Sequence, residues 1–302
     1  METSKLTGVL TFPVTAMNDE GTILDIDAYQ SLIAWQIDEG VHGVVPLGST
    51  GEFAYLDADE RDAVARATVD TCAGRVSAVI GVSSVRTDQA VAYAKAARRA
   101  GADGILLSVP TYYPLSNREL QAHVAAVVSA SELPTMLYNN PYTSAVDITP
   151  DLLEDLLAID GIVAVKEASM DVARVAELTA RFGDRLTVLG GGFDPYALPA
   201  FSVGATGWTT GLANLLPARC VDLYKAAVLD KELASAQKIH FEILPLANLL
   251  VELGLSVAVK AGLRILGRPA GAPRRPLLPL DNDAEARLRS TMEAVVGVTE
   301  PV

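Results

Sequence analysis

A (β/α)₈ TIM barrel with a C-terminal helical extension is the fold class the sequence predicts, on three observations. Eight short apolar runs recur along residues 1–215; amphipathic stretches separate them; and over residues 216–302 helical periodicity replaces the strand pattern. The runs are 8–14, 41–47, 76–82, 103–109, 133–139, 162–167, 185–191 and 205–210. Parallel strands buried on both faces read as continuous Val, Ile and Leu runs, and eight of them favour a closed barrel over the alternative, an open doubly wound sheet. Between the first two runs Ile26, Tyr29, Ile33 and Ile37 fall on one helical face, and the segment 87–101 ends on Gly101 as a stop signal. Residues 1–215 form the predicted barrel core, and 216–302 the last barrel helix and the extension. Within the latter, 267–280 is too rich in proline to be helical and reads as a connection over the surface.

Composition narrows the function. A chain of 302 residues, half of them hydrophobic and a fifth charged, can bury a full core. A net charge of -13 argues against nucleic acid, whose phosphates are neutralised by Lys and Arg. Cys72 and Cys220 stand alone and suggest buried apolar side chains, and His42, His123 and His240 lack metal-ligand spacing, so neither disulfide nor metal is expected. No run has signal-peptide or membrane-span character, and a reducing cytoplasm is the expected setting.

In such a barrel chemistry gathers at the C-terminal ends of the strands. Lys166 ends the sixth run, where alternation places it on the face of Ile162 and Ala164, opposite Val163 and Val165. It either snorkels to water or pairs with Glu167, or it is a desolvated amine able to attack a carbonyl. Tyr138 ends the fifth run, on the face of Pro134 and Met136; it is either packing or a proton relay. Gly48-Ser49-Thr50-Gly51-Glu52 follows the second run and lacks the Gly-Lys-Ser/Thr ending of a nucleotide loop. Its Ser49 and Thr50 suit a carboxylate, or else simply cap a tight turn. Gly190-Gly191-Gly192-Phe193-Asp194 reads as a turn capped by Asp194 that also lets backbone, at Gly190 first, approach a ligand.

Taken together, G-S-T-G-E at 48–52, the tyrosines at 112 and 113, Y-N-N-P at 138–141, K-E-A-S at 166–169 and G-A-T-G-W at 204–208 resemble the dihydrodipicolinate synthase and N-acetylneuraminate lyase superfamily. The resemblance spans the whole barrel. It implies that Lys166 forms a Schiff base with a 2-oxo acid, that Tyr138 relays protons, and that Gly48, Ser49 and Thr50 form the pyruvate carboxylate site. It further implies that Tyr113 completes a Tyr-Ser-Tyr hydroxyl chain with Ser49 across a dimer interface, that the assembly is a homotetramer, and that no cofactor beyond the covalent lysine is used. Thr143 departs from the pattern: it stands where the synthases carry an arginine that receives the carboxylate of the aldehyde, and Thr209 replaces an apolar neighbour of the Schiff base. Both suit hydroxyls, so the expected substrates are pyruvate or a 2-oxo-3-deoxy sugar acid, undergoing aldol cleavage, condensation or dehydration. The alternatives are 4-hydroxy-tetrahydrodipicolinate synthase, condensing pyruvate with aspartate semialdehyde, and a non-catalytic barrel that only binds a 2-oxo acid. A metal-dependent aldolase is disfavoured by the sparse histidines.

Overall fold

The computed structural model describes residues 6–191 and 194–296. Eight parallel strands close in sequence order, β1 pairing with β8: β1 (Gly8–Thr11), β2 (Gly43–Val44), β3 (Ser77–Gly81), β4 (Gly104–Leu107), β5 (Thr135–Asn139), β6 (Ile162–Glu167), β7 (Thr187–Gly190) and β8 (Gly207–Thr210). Every predicted run holds its strand, but most are shorter than the run. β2 keeps two residues of seven because Pro46 has no amide to donate and Leu47 turns the chain at φ 58°.

The helices are α1 (Ile26–Asp38), α2 (Ala58–Cys72), α3 (Thr87–Ala100), α4 (Asn117–Ser131), α5 (Pro141–Ser144), α6 (Pro150–Leu156), α7 (Val172–Phe182), α8 (Ala197–Ser202), α9 (Pro217–Tyr224), α10 (Leu233–Leu253), α11 (Leu255–Ile265) and α12 (Asn282–Val296). Local chemistry sets their ends. Asp25 caps α1 by accepting the Ala28 amide at 2.9 Å, Asp57 and Ser116 form capping boxes with Glu60 and Glu119, and Gly101 ends α3 at φ 89°. α1 buries Tyr29, Ile33 and Ile37 with Leu32 and Gln36, while Ile26 is half-buried on the same side.

Alternation along the strands divides the apolar side chains into two layers. Leu10, Val45, Val79, Leu106 and Met136 fill the barrel, and their neighbours Val9, Val44, Ile80, Ile105 and Leu137 pack outward against the helices. β6 breaks the alternation. Thr135 pairs with Ile162 but Met136 pairs with Ala164, so β6 carries one extra residue. As a result Ile162 joins the outer layer and Val163 packs against the interior cluster. This corrects the expectation that Ile162 shares the face of Lys166; the bulge lies before Ala164, so Ala164 and Lys166 still point inward.

Residues 267–280 are not helical, as expected, but they do not merely cross the surface: Ala270 and Pro273 are buried, and Arg274 is inserted between the chain around Gly21 and α2. Among the described residues no helix is long and apolar enough to cross a membrane, and no group of three or more His, Cys, Asp or Glu side chains could hold a metal ion. Cys72 and Cys220 are free and buried, and burial pushes both thiols up.

Candidate active site

Tyr138 and Lys166 are register partners on adjacent strands, so the pairing that closes the barrel also sets phenol beside amine. Both are buried, at 6% and 5% exposure. The Lys166 Nζ lies 3.8 Å from the centre of the Tyr138 ring and 3.9 Å from that of Phe12, held between two aromatic faces. Burial lowers the Lys166 amine from its usual range, against the opposing pull of Tyr138 and of the Asp194 carboxylate. Glu167 does not pair with the lysine. It points out of the barrel, accepting Asn139 Nδ2 at 3.0 Å and the Ser169 amide at 2.6 Å, and Asn139 in turn bonds Asp147, which Arg174 pairs. Of the two readings of Lys166, the desolvated amine is the one this geometry fits.

The Tyr138 hydroxyl oxygen accepts Asn140 Nδ2 at 2.9 Å, which leaves its own hydrogen to be donated. Around the pair lies a cavity of about 180 Å³ lined by Ser49, Thr50, Thr143, Asp194 and Thr209 among others, with Val251 of α10 and Leu255 of α11 also in its lining. Thr50 is buried and Ser49 exposed, and neither their amides nor their hydroxyls donate a hydrogen bond to any described residue. Two residues whose amides and hydroxyls are uncommitted therefore line the lysine cavity, a donor set suited to an anion. A larger cavity of about 510 Å³ shares Ser49, Thr50, Thr143 and Leu255 with the first.

The other predicted site residues sit as follows. Thr209 is buried in the lining and donates to the Gly190 carbonyl at 3.2 Å. Thr143 is exposed at the junction of the two cavities, on α5. Gly48 and Gly190 are not among the lining residues. A side chain at Gly48 would meet the Phe12 ring at 2.8 Å and one at Gly190 would meet Ala200 at 2.9 Å, so these glycines admit packing. It is Gly191 that makes room for the lysine, since a Cβ there would lie 2.6 Å from Lys166 Cγ and 2.5 Å from Thr209 Oγ1. Gly192 and Phe193 of the glycine run lie outside the described residues. Tyr112 and Tyr113 stack edge to face at 4.9 Å and are 87% and 73% exposed, away from the cavity of their own chain.

Three members of the site escaped the sequence reading. Phe12 is apolar and reads as core. Asn140 sits inside the Y-N-N-P motif, and its amide orients the phenol. Asp194 was expected only as a turn cap; its carboxylate lines the cavity and accepts the Leu212 amide at 2.9 Å. Burial pushes the Asp194 carboxyl up from 3.8 to about 6. A carboxyl raised in the folded state stabilises the protein below its unfolded pKa, and that contribution is lost as pH rises through the folded one. From pH 3.8 to about 6 the chain is thus expected to lose on the order of 3 kcal/mol relative to a neutral side chain. Asp194→Asn is expected to flatten that limb; denaturant unfolding at pH 4 and pH 7 checks it, and an unchanged difference between the two pH values would refute it.

A closed (β/α)₈ barrel with a shielded amine beside a phenol at its mouth defines the class. Residues 5–295 match the Dihydrodipicolinate synthetase family. The chain is 35% identical to the 4-hydroxy-tetrahydrodipicolinate synthase of Methanothrix thermoacetophila, over 97% of this chain and 98% of that one. It is 36% identical to that of Sorangium cellulosum, over 95% of each. The solved structure of the 4-hydroxy-tetrahydrodipicolinate synthase of Methylacidiphilum fumariolicum SolV superposes with a TM-score of 0.92 at 30% identity, covering 97% of both chains. The chain belongs to the dihydrodipicolinate synthetase family.

Proposed function

We propose that the chain is a pyruvate-dependent lyase that works through a Schiff base on Lys166. The observation that carries this reading is the position of the amine: it is buried between Phe12 and Tyr138, and its protonation is disfavoured where a ketone can enter. Ser49 and Thr50 receive the carboxylate of the 2-oxo acid, which sets its C2 toward Nζ. Addition of the amine to C2 and loss of water give a cationic imine. That cation draws electrons from C3, so a C3 proton leaves through Tyr138 and the resulting enamine adds to an aldehyde. Water then releases the product and returns the amine. In reverse, the same steps cleave a 4-hydroxy-2-oxo acid. Tyr113 serves this chemistry from a second copy of the chain, within a homotetramer, and a cytoplasmic setting belongs to the same proposal.

The names of the relatives favour aspartate semialdehyde as the partner, ahead of the sugar-acid chemistry suggested by the threonines. One observation keeps the second reading: Lys166 is the only Lys or Arg among the described residues lining either cavity, so no guanidinium or second ammonium receives the carboxylate of an acidic aldehyde. Borohydride reduction in the presence of pyruvate, followed by peptide mass analysis, tests the Schiff base; an unmodified Lys166 would overturn the function. Pyruvate consumption with aspartate semialdehyde, and pyruvate release from 2-oxo-3-deoxy sugar acids, separate the two partners, and the faster reaction names the substrate.

A further inference from the structure

Glu52 closes the Gly48–Glu52 loop at φ 58°, a left-handed conformation that costs a residue with a Cβ about 1–2 kcal/mol. Its carboxylate turns from the barrel mouth into a pocket made by the C-terminal segment. There Lys260 Nζ lies 2.9 Å from Oε1, with the two side chains 2% and 0% exposed. Ser256 Oγ donates to Oε1 at 2.7 Å and the Arg274 amide to Oε2 at 2.7 Å. Lys260 also donates to the Ala272 carbonyl at 2.9 Å, which ties the same charge to the segment carrying Arg274. One carboxylate from a barrel loop is thus met by three donors that lie more than 200 residues further along the chain.

Ser49 and Thr50 donate no hydrogen bond to any described residue, so their place depends on what holds the loop around them. Within the loop, the Gly51 and Glu52 amides donate to the carbonyls of Gly48 and Ser49 at 3.1 Å each. From outside, Thr15 Oγ1 grips the Gly51 carbonyl at 2.7 Å and the Lys260 cluster grips Glu52. We infer that Lys260 is a positioning residue for recognition of the 2-oxo acid: acting through Glu52, it fixes the loop in which Ser49 and Thr50 face the carboxylate. This rests on the assignment of Ser49 and Thr50 under the proposed function. A buried ion pair adds little stability compared with apolar side chains of equal volume; what this one contributes on our reading is a single directed geometry, set by the donors from Lys260, Ser256 and Arg274. The helices after the barrel are on this view part of the 2-oxo acid site.

The test is the pyruvate concentration that gives half-maximal borohydride-trapped Lys166 adduct, read separately from the trapping rate at saturation. Lys260→Met is expected to raise the half-saturating concentration about tenfold or more while leaving the saturated rate within about twofold, because the amine and phenol are untouched. Lys260→Arg, which keeps the charge, is expected to recover most of the loss. Should Lys260→Met fail to fold, Ser256→Ala removes one donor without stranding a charge, and a rise of about two- to fivefold is expected. Half-saturation unchanged in a folded variant, or a fall in the saturated rate alone, would overturn the positioning role. A wild-type chain that forms no adduct at all would overturn the Schiff base first, and this inference with it.

Discussion

Lys166→Met is expected to abolish turnover, with kcat/KM falling about 10⁴-fold or more, and to leave no borohydride-trapped adduct. Methionine matches the length of the lysine stem, so the packing against Phe12, Tyr138 and Gly191 survives while the amine is lost. Stability should move the other way. The native amine is desolvated between two rings, at a cost that an apolar tip does not bear, so a gain of about 1 kcal/mol in unfolding free energy is expected. Activity and stability measured on one variant therefore separate a catalytic loss from a folding defect. Lys166→Arg is expected to be equally inactive, because a guanidinium stays protonated and offers no lone pair. In the wild type, adduct formation should decline as pH falls through the pKa of the buried amine. That decline should set in at a lower pH than for a free lysine, since burial lowers the pKa. Substantial turnover by Lys166→Met would remove the lysine from the reaction.

The fold was legible because its determinants are local. Runs of β-branched and aliphatic residues, separated by amphipathic stretches with Ser, Asp and Gly at their ends, specify strands and helices in an order that only a few topologies satisfy. Lys166 and Tyr138 were legible for a related reason, since each stands one residue before the end of its strand and alternation aims it. What the sequence concealed is set by distance along the chain or by irregularity. The bulge in β6 leaves no compositional mark, so Ile162 was assigned to the wrong face. Phe12 is an ordinary core residue until Nζ sits over its ring. Glu52 and Lys260, or Asp194 and the Leu212 amide, meet only once the barrel has closed. Position 143 shows the converse: a departure in one residue type is plain in sequence, but its weight depends on whether another cation reaches the cavity, and the described lining holds none but Lys166.

Tyr138→Phe is the second large effect, and it separates proton movement from amine chemistry. The ring that lies 3.8 Å from Nζ remains, so the environment of the lysine changes little, while the hydroxyl proposed to relay the C3 proton is removed. A fall in kcat of about 10²- to 10⁴-fold is expected, the range for losing a general acid or base. The pyruvate adduct on Lys166 should still form at saturating pyruvate, though more slowly, since loss of water from the tetrahedral adduct also needs a proton. The substitution strands Asn140 Nδ2, whose partner is the Tyr138 oxygen, at a stability cost of about 1–3 kcal/mol. Asn140→Ala provides the control: it frees the phenol from its orienting donor but leaves the proton, and a loss of about tenfold or less is expected. If Tyr138→Phe kept kcat within about threefold of the wild type, the proton would travel by another route. Asp194, ionised above about pH 6 and lining the same cavity, is then the group to which the relay would pass.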